Sequence, residues 1–194
     1  MECPRWLLPA IALFSTFLIV SAACDSEAPA TAPTIAPVAA SGQPAAAVGN
    51  RVGNRAPEFA IQLADGSSVS SEQLLKDGKP VFLFFWATWC STCRGELERM
   101  KQVYPAFGDE VAFYAIGIDP SESISDLQDV ARSRGYPWPG ALPNSTMARD
   151  FNVLQQSTKI AIDSEGKIIY RDGYGVGSDD TWRSTLSTLT AGVR

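Results

Sequence analysis

The chain has 194 residues, a formal net charge of −5 and an isoelectric point near 4.8. An acidic chain of this kind lacks the basic surface that nucleic acids require, so we expect no nucleic-acid partner. The sequence contains no histidine, which excludes histidine metal ligands and histidine general bases.

Residues 1–23 have the composition of an export signal, because one arginine precedes a short apolar stretch and small residues end it. Cys24 then stands where bacterial lipoproteins carry a lipidated cysteine, with Ser21 in place of the usual aliphatic residue. We expect lipidation at Cys24, which would hold the protein outside the cytoplasmic membrane, on the periplasmic side or at the cell surface. Simple cleavage after Ala23 and an uncleaved anchor are the alternatives.

Residues 24–52 are dominated by alanine, proline, threonine and serine, with few large apolar side chains. Such a segment cannot bury enough surface to offset its chain entropy, and we expect a disordered tether. Residues 53–194 remain for the folded part. About 140 residues suffice for one domain with its own core.

Residues 81–86, VFLFFW, form an apolar run that is typical of a strand buried on both faces of a sheet. Two cysteines follow at once, Cys90 and Cys93. The apolar residues behind them recur at helical spacing: Leu97, Met100, Tyr104 and Phe107. The cysteine pair is therefore predicted at the start of a helix that follows a buried strand.

A helix start favours an anion, so Cys90 is expected to have a lowered pKa and to be the attacking thiolate. Cys93 lies one turn further and suits the resolving role, while Arg94 adds a positive charge nearby. A structural disulfide and half of a zinc site are the alternatives. Zinc would need a second ligand pair, and the chain has no further CxxC.

The remaining patterns predict alternating strands and helices. Residues 59–63 indicate an edge strand, 71–75 a helical turn, and 111–118 a second buried strand that completes a βαβ unit. A capping box at Ser123 begins a helix that runs to about residue 134. Residues 158–162 and 168–171 indicate a hairpin, and Trp182 opens the apolar stripe of a last helix. The fold class is therefore α/β.

The motif FWATWCxxCRxE resembles the TlpA/ResA-like branch of the thioredoxin family, with further matches at 56–59, 65–66, 78–80 and 162–168. The resemblance covers about residues 53–190. It implies a thioredoxin-like fold with a central mixed sheet flanked by helices. It also implies an extracytoplasmic thiol–disulfide oxidoreductase with a Cys90–Cys93 disulfide and no cofactor. Its substrates would be protein thiols and disulfides, and a reductant would need a membrane electron donor that this chain does not encode.

The resemblance assigns roles to three more residues. Glu96 matches an acidic residue that tunes the thiols and could relay the proton of Cys93; the alternative is a solvated first-turn glutamate. Trp89 matches an aromatic wall that shields the sulfurs. Ser157 stands where the family has a cis-proline opposite the cysteines. Because a cis bond before a non-proline residue costs about 2.5–4 kcal/mol, we expect a trans bond and a looser cover over the active site.

Two other functions compete with the oxidoreductase. A thiolate chaperone for Cu(I) could use the same cysteines, since soft ligands favour that ion, but Met100 is expected to face the core. A peroxidase of the peroxiredoxin type would need threonine three residues before its reactive cysteine, and Ala87 stands there.

Overall fold

The structure of the chain is a computed structural model that describes residues 46–192. The expected export signal, the lipidation site at Cys24 and most of the expected tether lie outside these residues. Among the residues that are described, no helix is both long enough and apolar enough to cross a bilayer.

Residues 46–52 are assigned to the tether by their composition, but they are hydrogen-bonded to the domain. The amide of Gly49 donates to the carbonyl of Arg55 at 2.9 Å, and the amide of Arg55 donates to the carbonyl of Ala47 at 3.1 Å. These bonds pair the end of the segment with the first residues of the expected domain. The boundary expected at residue 53 stays a prediction.

Strands and helices alternate along the described chain. The strands are β1 (Ala60–Leu63), β2 (Ser68–Ser70), β3 (Val81–Trp86), β4 (Ala112–Gly117), β5 (Ala141–Pro143), β6 (Thr158–Ile162) and β7 (Ile168–Asp172). The helices are α1 (Ser71–Lys76), α2 (Ser91–Val103), α3 (Ile124–Arg134), α4 (Met147–Asp150) and α5 (Asp179–Ala191), with a 3₁₀ turn at Tyr104–Ala106.

These strands form one mixed sheet in the order β2-β1-β5-β4-β3-β6-β7. The central strand β3 pairs in parallel with β4 and antiparallel with β6, and β6 and β7 form the predicted hairpin. The expectation that β1 is an edge strand is wrong, because the three-residue strand β2 pairs along its outer side. The sequence patterns also did not predict β5, a three-residue strand that ends in a proline.

Alternate residues of β3 contribute to two separate cores, as expected for a strand buried on both faces. Phe82, Phe84 and Trp86 pack with apolar residues of α2, α3 and α5. The intervening residues pack with α1 and α4 on the other face: Val81, Leu83 and Phe85. The central sheet therefore lies between helices on both sides, and α2 is held against the face that carries Phe84.

Local signals fix the ends of the helices beside the sheet. Ser123 and Asp126 form the predicted capping box at the start of α3, and Gly135 ends that helix in the left-handed conformation. The Asn144 side chain accepts a hydrogen bond from the amide of Met147 at 3.0 Å, which supports the short helix α4. These contacts position the segments that follow β4 and β5.

Candidate active site

The cysteine pair lies where the carboxyl end of β3 passes into α2. Cys90 is the N-cap of that helix, and its sulfur accepts a hydrogen bond from the amide of Cys93 at 3.1 Å. The two sulfurs are joined in a disulfide, with Cα atoms 5.3 Å apart. When the disulfide is reduced, the same amide and the helix dipole stabilise a thiolate at Cys90.

Both cysteines are covered in the oxidised structure. Cys90 is 3% exposed and Cys93 is 0% exposed. These exposed fractions agree with the prediction that Cys93 is the more covered of the two cysteines. Cys90, however, is buried at the helix start rather than exposed there. The looser cover expected from Ser157 stays a prediction.

Ser157 is tied to β3 by its backbone and to residue 175 by its hydroxyl. It precedes β6 with φ of 65°, and its peptide bond is trans, as predicted. Its amide donates to the carbonyl of Phe85 at 2.7 Å, and its hydroxyl donates to the carbonyl of Gly175 at 3.3 Å. In this left-handed conformation the Ser157 amide points towards β3, and the residue is fully buried.

Glu96 is a buried carboxyl one helical turn beyond Cys93, and it is only 1% exposed. The interpretation of Glu96 as a solvated first-turn residue is therefore wrong. Its Oε1 accepts a hydrogen bond from the amide of Gly177, whereas its Oε2 has no hydrogen-bond partner. Burial raises the pKa of the Glu96 carboxyl above its ordinary value of 4.5, and the Gly177 amide and the charge of Lys159 oppose that shift.

Lys159 is a site residue that the sequence analysis missed. Its ammonium Nζ lies 3.4 Å from Glu96 Oε1, and the side chain is 0% exposed. It donates to the carbonyls of Gly173 and Gly175 at 3.2 and 2.7 Å. Lys159 pairs with Phe84 of β3 and shares its sheet face. A lysine inside an apolar strand was the available signal.

The glycine-rich segment 173–177, called here the glycine loop, contacts several of these residues. Its backbone contacts Glu96, Ser157 and Lys159 as described. Its single aromatic residue, Tyr174, has its hydroxyl 2.8 Å from the hydroxyl of Thr92, which lies between the two cysteines. The glycine loop therefore contacts both Thr92, which lies between the two cysteines, and the Glu96 carboxyl.

The turn before Cys90 is fixed by two charged side chains. Glu122, just before α3, accepts hydrogen bonds from the amide of Thr88, at 2.8 Å, and from its hydroxyl. Arg94 donates from Nη1 to the carbonyl of Thr88 at 2.6 Å. Arg94 is thus near the pair, as expected, but its guanidinium is engaged with the turn. Glu122 is a positioning residue that the sequence did not indicate.

Trp89 stands on the outer side of Cys90. Its indole N–H donates to Asp119 at 2.6 Å, while 59% of the residue is exposed. Hydrogen bonds from Ser121, and then from Trp89, lower the pKa of the Asp119 carboxyl. Beside the indole lies a groove of about 230 Å³ that is also lined by Ile118 and Leu154. The shielding role of Trp89 remains a prediction.

The described residues contain no cluster of three or more histidine, cysteine, aspartate or glutamate side chains that could hold a metal ion. The position that a peroxiredoxin-type site would fill with threonine is Ala87, which is buried. The chemistry that this arrangement offers is therefore that of a dithiol with a carboxyl group behind it.

Comparison with known proteins shows which family the chain belongs to. The sequence profile of the AhpC/TSA family matches residues 52–171. The chain belongs to the AhpC/TSA family. The solved thioredoxin domain of a thiol-disulfide oxidoreductase from Bacteroides vulgatus superposes with a TM-score of 0.61 at 25% identity, covering 72% of this chain and 98% of that one. The predicted thioredoxin-like fold is confirmed.

Two curated relatives of this AhpC/TSA-family chain are similar over its folded part. The thioredoxin-like protein YneN of Bacillus subtilis is 30% identical over 122 residues, 62% of this chain and 71% of YneN. The thiol-disulfide oxidoreductase ResA of Bacillus thuringiensis subsp. konkukian is 30% identical over 117 residues, 59% of this chain and 65% of ResA. These similarities agree with the TlpA/ResA-like resemblance and make the chain an enzyme of the thiol–disulfide oxidoreductase class.

Proposed function

We propose that this enzyme reduces disulfides in partner proteins, with Cys90 as the nucleophile and Cys93 as the resolving cysteine. The observation that carries the proposal is the position of Cys90 Sγ as the N-cap of α2, where it accepts the Cys93 amide. Cys93 is 0% exposed and Cys90 is 3% exposed, which supports Cys90 as the more accessible of the two sulfurs.

The reaction proceeds in two exchanges. The Cys90 thiolate attacks one sulfur of the partner's disulfide, so that a mixed disulfide forms and one partner thiolate leaves. Cys93 then loses its proton and attacks Cys90, which closes the Cys90–Cys93 disulfide and releases the second partner thiolate. The partner gains two electrons, and the cysteine pair loses two.

Glu96 supports the second exchange as a proton acceptor. It lies three residues after Cys93 on the same helix face, and its Oε2 is buried without a partner. A carboxylate in that position can take the Cys93 proton at a place that water does not reach.

The buried carboxyl also supports the reducing direction. A negative charge behind Cys93 opposes a thiolate there and thereby stabilises the disulfide form, which is the property of a reductant. To act repeatedly, the enzyme would need electrons from a membrane donor that this chain does not encode. The similarity to ResA, itself named a thiol-disulfide oxidoreductase, is consistent with this assignment.

The decisive assay combines insulin reduction with a measured midpoint potential. We expect turnover with dithiothreitol and a potential below about −230 mV, closer to thioredoxin than to a strong oxidant such as DsbA. Cys93→Ser should trap the mixed disulfide, and Cys90→Ser should abolish it. A potential near −120 mV would overturn the reducing direction and make the enzyme an oxidant.

The same proposal places the enzyme outside the cytoplasmic membrane, anchored through Cys24. The support is the short apolar stretch that ends in two alanines before this cysteine. Cys24→Ser should release the domain from membranes or leave the precursor unprocessed. An unchanged mass and unchanged fractionation would contradict lipidation.

The copper-chaperone alternative would use the reduced dithiol as a Cu(I) ligand pair. Titration of the reduced domain with Cu(I) separates the two functions. Tight one-to-one binding without insulin reduction would favour the chaperone over the reductant.

A further inference from the structure

Lys159 has a contact set that the dithiol chemistry does not by itself explain. A lysine ammonium has three N–H donors. The three acceptors around it are the carbonyl oxygens of Gly173 and Gly175, at 3.2 and 2.7 Å, and Glu96 Oε1 at 3.4 Å. All of its donors are therefore used at a place where the side chain has no contact with solvent.

The sheet register explains how the ammonium reaches Glu96. Lys159 pairs with Phe84, and Phe84 belongs to the core that α2 and α5 share. Alternation along β6 puts Ala161 in the same core, whereas Ile160 and Ile162 belong to the opposite one. Lys159 therefore points under α2, beside the helix turn that carries Glu96.

Few other charged groups lie near the Glu96 carboxyl. Asp172 of β7 lies 3.7 Å from the lysine Nζ and is half-exposed. Tyr170, also on β7, has its pKa raised to about 12, mainly by burial, and is uncharged at neutral pH. On α5, the ring of Trp182 lies 5.9 Å from Nζ. Lys159 is thus the one cation in direct contact with Glu96 among the described residues.

We propose that Lys159 is a positioning residue for the resolving step: it holds Glu96 as a carboxylate with Oε2 free, and it fixes the glycine loop over the cysteine pair. This inference rests on the proposed function, because it assigns Lys159 to the proton transfer from Cys93. The ion pair with Lys159 and the hydrogen bond from the Gly177 amide both fall on Oε1, and the Trp182 side chain also lies against this carboxyl. Oε2 is left as the free oxygen that can accept the proton.

The charge of Lys159 and its hydrogen bonds have separable consequences. Without a neighbouring cation, a buried carboxyl takes up a proton at higher pH, because fewer groups then oppose the effect of desolvation. The base form of Glu96 would exist only in more alkaline solution. Without the donors, the carbonyls of the glycine loop would lose their partners and the loop would loosen.

The test separates the two exchanges with 5,5′-dithiobis(2-nitrobenzoate). Attack by Cys90 releases the first thionitrobenzoate, and attack by Cys93 on the mixed disulfide releases the second. The first phase reports the proposed function, and the second reports this inference. Both rates are measured from pH 5 to pH 9 in the full-length protein.

Lys159→Gln removes the charge and keeps an N–H donor for the glycine loop. We expect its second phase to slow at least about tenfold at pH 7, within the range that proton transfer contributes. Its pH profile should move to more alkaline pH, while the first phase stays within about twofold of the wild-type rate. Lys167→Gln, the same change at an exposed lysine of the β6–β7 turn, should leave both phases unchanged.

The double variant Glu96→Gln/Lys159→Gln removes both charges, keeps an N–H donor for the glycine loop, and tests the coupling. Its second phase should match that of Glu96→Gln alone at every pH, because Lys159 acts through the carboxylate. The double variant also provides the test if Lys159→Gln fails to fold, because it leaves no unpaired charge in the core. A wild-type profile in Lys159→Gln would overturn the proposal, as would an additional slowing when Lys159 is replaced in the Glu96→Gln background. Loss of the first phase in wild-type protein would instead refute the proposed function.

Discussion

Ser157→Pro introduces the residue type that the TlpA/ResA-like resemblance predicts at this position, but the structure predicts that it destabilises this protein. Ser157 has φ of 65°, whereas proline is fixed near −65°. Its amide donates to the carbonyl of Phe85 at 2.7 Å, and proline has no amide hydrogen. The loop as it stands cannot accept the substitution.

The magnitude follows from these two conflicts. A proline that clashes with its backbone environment costs about 3 kcal/mol, and the lost hydrogen bond adds about 1 kcal/mol. The free energy of unfolding should therefore fall by about 4 kcal/mol. For a domain of this size the melting temperature would fall by roughly 8–16 °C.

Two control variants isolate the backbone conformation. Ser157→Ala keeps the left-handed residue and loses only the bond to Gly175, so we expect a loss of about 1 kcal/mol. Ser157→Gly loses the same bond but relieves a left-handed conformation that costs an L-residue about 1 kcal/mol, so its stability should be close to wild type. Chemical denaturation of the oxidised protein measures all three variants. A proline variant within 1 kcal/mol of wild type would refute the conformation described for this loop.

Three further predictions concern the residues around the disulfide. In the reduced protein, iodoacetamide should label Cys90 before Cys93, with an apparent pKa below the free-thiol value of about 8.5; faster labelling of Cys93 would reverse their roles. Because the folded pKa of Glu96 is raised, its contribution to stability is full below the unfolded value and is lost as pH rises through the folded value. Denaturation midpoints from pH 4 to pH 8 should therefore fall more steeply in wild type than in Glu96→Gln, and parallel curves would contradict this. Thr88→Val removes the hydroxyl donor to Glu122 and should lower the free energy of unfolding by about 1–2 kcal/mol, measured by thermal denaturation; an unchanged midpoint would show that the turn does not need that bond.

Local signals were sufficient for the part of the site that one segment builds. The apolar run, the CxxC spacing and the helical stripe lie within 27 residues, and β3, Cys90 and α2 appear where they predict. Strand β5 was missed because three residues with a proline give no period to detect. Its place in the sheet depends on β1 and β4, which are distant in sequence.

The environment of Glu96 could not be predicted in the same way. A glutamate three residues after a cysteine has the same local pattern whether it is solvated or buried. Its environment depends on Lys159 of β6 and on the Gly177 amide after β7. Neither contact has a sequence signal near α2. The lysine itself gave a weak signal, because one charge in a five-residue strand also fits a strand end.

The distance along the chain between Glu96 and its partners has a consequence for synthesis and export. A chain that emerges from its N-terminus presents Glu96 63 residues before Lys159 and 81 residues before Gly177. Until the hairpin and the glycine loop dock, the Glu96 carboxyl has neither its cation nor its amide donor, and burying it would be costly. We therefore expect the cysteine pair to acquire its mature reactivity only when the last strands have folded, and a chain that is cut short after residue 158 to carry the motif without that reactivity.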